Sequence, residues 1–83
     1  MSAGATVPET GIRAVFAAAV TRERSALGWS QRALADKAGL SWTAISYAES
    51  GKHGPSLETA AMIAVALGLE LSVMLTRDAE VRS

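Results

Sequence analysis

Glycine and serine punctuation in the middle of the chain limits its folding options more than any other feature. It leaves two helix-forming stretches, Gln31 to Ala38 and Trp42 to Ser50, separated only by Gly39-Leu40-Ser41. Ser30 stands where an N-cap is needed, with a hydroxyl able to satisfy the amides that a helix start leaves without partners. Ser41 is placed to do the same for the second stretch. Gly39 supplies the backbone freedom of the turn. Leu34 and Ala38 on the first stretch, and Ile45 and Ala48 on the second, fall on inward faces. The small side chain of Ala35 lets the second helix cross closely over the first.

The flanking sequence reads as more helix. Residues 1–9 are small, polar and aperiodic, and are expected to form a disordered tail. From Thr10, Ile12, Val15, Phe16, Ala19, Val20 and Leu27 recur at three- and four-residue spacings, and Arg13, Arg22 and Glu23 point outward. Gly28 is placed to end this first helix. The loop Gly51-Lys52-His53-Gly54-Pro55 is dense in breakers. Ser56 opens a further helix, with Glu58 in its first turn favoured by the helix dipole. Its apolar set is Leu57, Ala60, Ala61, Ile63, Ala64 and Leu67, and Gly68 closes it. Leu69 to Leu75 predicts a fifth helix of one or two turns, with Glu70 where a better capping residue belongs. The expected organisation is an all-α, compact five-helix domain over residues 10–76, followed by a frayed end at 77–83.

Composition narrows the function classes. Eighty-three residues suffice for one domain and leave no room for a separate effector-binding domain. Any control is therefore expected to act through concentration, oligomeric state or a partner protein. The 49% hydrophobic and 5% aromatic content suits helices packed through small side chains. Without cysteine there is no disulfide and no thiolate metal site, which fits a cytoplasmic location. The opening MSAGATVPET has neither a basic start nor an apolar core, so no signal peptide is expected. The apolar stretches fall short of the roughly 18 residues of a membrane span. Eight basic and eight acidic side chains cancel, whereas many nucleic-acid binders are clearly basic. Net charge bears on affinity and solubility, so the placement of the basic residues matters more.

The outer face of the helix 42–50 carries Ser41, Trp42, Thr43, Ser46 and Tyr47, which are hydrogen-bonding or planar groups on a rigid platform. The N-terminal end of such a helix can reach base edges in the DNA major groove. In their order and spacing, Leu27-Gly28-Trp29-Ser30-Gln31, Leu34-Ala35, Ala38-Gly39, Ile45, Glu49-Ser50-Gly51-Lys52, Pro55-Ser56 and Ala66-Leu67-Gly68 form a specific signal. They resemble the Cro and phage-repressor-like helix-turn-helix regulators, over about Thr10 to Leu75. The resemblance implies a lambda-repressor-like bundle of five helices that binds a double-stranded DNA operator as a homodimer. It also implies that Gln31 touches backbone phosphate and helps position the recognition helix, with Ser30 and Arg32 beside it. Lys52 and His53 match the loop that touches phosphate, and Ser41, Trp42, Thr43, Ser46 and Tyr47 match groove-facing positions. Arg24 and Glu49 match a structural ion pair between the first and third helices. This sequence departs from the pattern at Trp42, which cannot make the bidentate base contacts of Gln or Arg. Its loop after the recognition helix is also poor in Lys and Arg.

Plainer readings exist for several of these residues. Trp42 is equally readable as a surface aromatic or a protein contact, and Tyr47 as a ring packed on a neighbouring helix. Lone His53 has no second His or Cys for a metal site. Met62, Leu71, Met74 and Leu75 suit a core or a dimer surface better than a cofactor box. Leu69, Leu71, Val73 and Met74 are the expected dimer seam. No catalytic constellation, cofactor motif or metal site is present in the sequence, so an enzyme is not expected. The alternative function is the antitoxin half of a toxin–antitoxin pair, binding both DNA and a toxin protein. A second alternative is a fragment of a larger regulator, with Arg77 to Ser83 leading into a linker.

Overall fold

The computed structural model describes residues 9–52, 54–71 and 73–74. His53, Leu75, residues 1–8 of the tail expected at 1–9 and the tail expected at 77–83 lie outside the described residues. Glu9, expected in the first tail, instead begins the first helix. Among those described there are four helices and no strand: α1 (Glu9–Ala26), α2 (Gln31–Ala38), α3 (Trp42–Ser50) and α4 (Leu57–Ala66). Leu71, Val73 and Met74 are also helical, and Met74 N–H donates to Glu70 O at 3.1 Å. That segment passes out of the described residues within a turn. Among the described residues four helices are complete, and the expected fifth is not confirmed.

At 8, 9 and 10 residues, α2, α3 and α4 are too short to be stable alone, so local caps and tertiary packing must hold them. Each starts with the same device. The hydroxyls of Ser30, Ser41 and Ser56 accept from the N–H groups of Ala33, Ala44 and Thr59 at 3.0, 3.2 and 3.1 Å. The turn between α2 and α3 closes through Gly39, whose φ of 72° is left-handed. Leu40 N–H then reaches back to Ala35 O at 2.9 Å and satisfies a carbonyl of the last turn.

The helix α3 packs on both α1 and α2, and α4 packs on α2. One core joins them, built from Phe16, Val20, Leu34, Ile45, Ile63, Leu67 and Met74 with Ala19, Ala35, Ala48, Ala60 and Ala64 between them. Four expected inward residues, Ile12, Leu27, Leu57 and Ala61, are exposed instead. In α4 the reason is helical geometry. Ala60, Ile63, Ala64 and Leu67 share one face, and a helix this short buries only one. Leu57, Ala61 and Val65, spaced by four, form a stripe on another.

The segment after α4, which carries the four residues expected at a dimer seam, is partly drawn into the core of the single chain. Met74 is 0% exposed and belongs to the core cluster, and Leu69 and Leu71 are half-buried against it. An alanine-rich core leaves irregular gaps that an unbranched thioether side chain fills well. Of the four expected seam residues, only Val73 is exposed.

Candidate nucleic-acid interface

Because Ile45 and Ala48 are drawn into the core, the opposite face of α3 is turned outward. Trp42, Thr43 and Tyr47 are exposed there, and Ser46 is half-buried. Ser41, at the helix start, is also exposed, but its oxygen is engaged in capping. The hydroxyl proton remains available to a partner, so Ser41 can serve α3 and a ligand together. The same holds for Ser30 at the start of α2.

Behind this face lies a chain of polar contacts that ties α1, α2 and α3 together. Arg24 Nε donates to Glu49 Oε2 at 2.6 Å, and Arg24 Nη2 donates to Glu49 Oε1 at 2.9 Å. Arg24 Nη1 donates to the carbonyl of Trp29 at 2.8 Å, just before α2 begins. Thr21 Oγ1 and Gln31 Nε2 each donate to Glu49 Oε1 at 3.1 Å. Burial of Glu49 opposes its ionisation, yet the hydrogen bonds from Arg24, Gln31 and Thr21 and the Arg24 charge outweigh it. The carboxyl is therefore held below its ordinary pKa. On Arg24, the hydrogen bond to Glu49 outweighs burial and raises the pKa further above its already high value. The pair stays ionised, and its bidentate geometry fixes where α3 sits relative to α1.

The chain of contacts continues to the surface. Gln31, at the first position of α2, accepts at Oε1 from the indole Nε1 of Trp42 at 3.0 Å. Arg32 lies over the Trp42 ring, with its guanidinium carbon 5.2 Å from the ring centroid. On the far side of α2, Lys37 Nζ lies 4.9 Å from the centre of the Trp29 ring. Gln31, Arg32 and Trp42 thus meet at one corner, where the start of α2 meets the start of α3.

The structure brings together Arg24 with Glu49, and Gln31 and Arg32 with Trp42. Lys52 is exposed in the loop after α3, where its own N–H donates to Ser50 Oγ at 3.2 Å. The contributions of Thr21 and of the Trp29 carbonyl were not expected from sequence. A hydroxyl and a backbone carbonyl near a known pair carry no spacing signal of their own. The Trp42–Gln31 bond was likewise not expected, because it joins residues that only the packing of two helices brings together.

No described helix is long and apolar enough to cross a membrane. No group of three or more His, Asp or Glu among the described residues is arranged to hold a metal ion. Neither a curated protein nor a solved structure matches the chain significantly. A comparison with known families does match it, to the helix-turn-helix family over residues 21–74, which is more than half of the chain. The match begins within α1 and takes in Arg24, all of α2, α3 and α4, and Met74. With two capped helices crossing at a glycine turn, and an exposed polar face on the second, the chain belongs to the Cro- and repressor-like helix-turn-helix family of DNA-binding regulators.

Proposed function

We propose that this chain is a cytoplasmic, sequence-specific transcriptional regulator that reads the DNA major groove with α3 and acts as a homodimer. One observation carries the reading. The start of α3 presents Ser41, Trp42 and Thr43 to solvent beside Gln31 and Arg32, on a platform fixed by the Arg24–Glu49 pair. A recognition helix needs this rigidity, because base-edge hydrogen bonds lose strength quickly when misaligned. In this reading Thr43, Ser46 and Tyr47 face the bases, and Ser30, Gln31, Arg32, Lys52 and His53 serve the phosphates. Two copies on one duplex would place their recognition helices about one helical turn, roughly 34 Å, apart.

The homodimer is supported by the apolar stripe on α4. Leu57 is 77% exposed and Val65 75% exposed, with Met62 beside them, which is unusual for aliphatic side chains aligned on one helix. The same stripe favours a second reading, the antitoxin half of a toxin–antitoxin pair, in which a protein partner covers it. The neutral net charge is compatible with either.

The test is fluorescence-anisotropy binding to the DNA upstream of the gene and to a scrambled duplex, across a salt series. Tight, sequence-preferring binding with two chains per site is the expected result. Weak and equal binding to both duplexes, lost with modest salt, would overturn the regulator reading. A stoichiometric protein that co-purifies with the chain would select the antitoxin reading.

A further inference from the structure

We propose that Trp42 is a positioning residue for a phosphate clamp formed by Gln31 and Arg32, and not a reader of bases. The proposal rests on the DNA-reading function above and assigns the work within that site. Trp42 occupies the first position of α3, where a base contact is the ordinary expectation. Its side chain has one polar group, the indole N–H, which can only donate. That group points back to Gln31 Oε1 at 3.0 Å. What remains for DNA is an apolar ring, and Arg32 lies over that ring.

The chemistry of its neighbours fixes how Gln31 is oriented. The indole can only donate, so the amide oxygen must face Trp42. The ionised Glu49 carboxylate can only accept, so Nε2 must face Glu49, as it does at 3.1 Å. The amide cannot flip without losing both bonds. One Nε2 hydrogen is used, and the second has no partner among the described residues.

Arg32 completes the clamp. It is exposed, and its guanidinium has no carboxylate partner among the described residues, only the Trp42 ring. A free arginine side chain loses much rotamer entropy when it docks on a ligand. Holding the guanidinium over an aromatic face removes part of that cost beforehand and leaves its N–H fork available. The fork and the spare amide hydrogen sit on the first two residues of α2, where the helix dipole also favours an anion. A DNA phosphodiester bordering the groove that α3 enters has the matching charge and acceptor geometry.

The test starts from an operator selected by the wild-type protein from a randomised duplex pool. Binding of wild type, Trp42→Ala, Trp42→Phe, Arg32→Ala and the Arg32→Ala/Trp42→Ala double variant is then measured on that operator and on its single-base variants, across a salt series. For Trp42→Ala we expect a roughly fivefold loss on every duplex, an unchanged ranking of bases, and a salt slope reduced by about one phosphate. Trp42→Phe keeps a ring but no N–H and should fall between Trp42→Ala and wild type. Adding Trp42→Ala to Arg32→Ala should cost much less than it does alone. A changed base ranking in either Trp42 variant overturns the proposal, as do losses that simply multiply in the double variant. If wild type selects no sequence at all, the DNA-reading function itself fails, and the proposal with it. Thermal unfolding of each variant checks the fold. Should Trp42→Ala not fold, Trp42→Phe and Arg32→Ala decide the matter through base ranking and salt slope.

Discussion

Arg24 and Glu49 are joined by two hydrogen bonds, Nε to Oε2 at 2.6 Å and Nη2 to Oε1 at 2.9 Å, that link α1 directly to α3. Both side chains are largely buried, at 16% and 7% exposed. A buried pair contributes little when compared with a well-packed apolar pair, but removing one member leaves the other charged without a partner. Arg24→Ala should therefore destabilise the domain by about 3 kcal/mol, the low end of the range for buried pairs. A domain this small has about 5 kcal/mol in total, so the variant should sit close to unfolding. Replacing both residues by Met should recover much of the loss. Urea unfolding of the single and double variants checks this, and a double variant no better than Arg24→Ala would show that the pair does more than satisfy itself.

The lowered pKa of Glu49 makes part of this stability depend on pH. A carboxyl held below its unfolded value stabilises the fold above that value, about 4.3 for Glu, and loses the contribution as pH falls through the folded value. Glu49→Gln removes the charge and keeps the shape. The stability gap between wild type and Glu49→Gln should be widest near pH 7 and narrow once the pH drops below about 4. Urea midpoints for both proteins at neutral and acid pH measure that gap. A gap that stays constant would locate the acid sensitivity in other carboxyls.

Much of this arrangement was legible in the sequence, for local reasons. Ser30 and Ser41 are caps because a serine hydroxyl reaches the amide three residues on, and that geometry needs no tertiary information. Gly39 marks the turn because its φ is positive. The resemblance to known regulators placed Arg24 opposite Glu49. What was not legible depends on how whole helices rotate and pack. Leu57 and Ala61 satisfy an apolar pattern on paper, but α4 turns its other face, with Ala60, Ile63 and Ala64, towards α2. Met74 was readable as core or as dimer surface, because the length of the segment hides how much space the alanine-rich core leaves. Trp42 was ambiguous for a similar reason, since its indole partner Gln31 lies on another helix.

The exposed stripe on α4 gives the homodimer a direct test. Leu57 and Val65 contribute almost nothing to the core of a single chain, so Leu57→Glu/Val65→Glu should leave the fold intact. If the stripe is the seam between two copies, the double variant should sediment as a monomer while wild type sediments as a dimer. Charged replacements at Leu71 or Met74 are a poorer test, because they would disturb the core itself. A dimer unchanged by Leu57→Glu/Val65→Glu would move the seam off α4, with Val73 the next exposed apolar residue to replace.

Thr43 and Lys52 separate base reading from phosphate binding. Thr43 is exposed at the second position of α3, where a hydroxyl and a methyl group can meet a base edge and a thymine methyl. Lys52 follows the C-terminal end of the same helix, in a loop where a compact cation can meet a phosphate without reading sequence. Thr43→Ala should weaken binding to the selected operator by about 1–3 kcal/mol and relax the preference at one base pair, with the salt slope unchanged. Lys52→Ala should weaken binding to all duplexes alike and reduce the slope of log affinity against log salt by about one. Anisotropy titrations on the operator, its single-base variants and a scrambled duplex distinguish these patterns. If Lys52→Ala changed the base preference, the loop would have to enter the groove. If Thr43→Ala changed only the salt slope, the reading edge of α3 would have to turn towards Ser46 and Tyr47, about one helical turn further along.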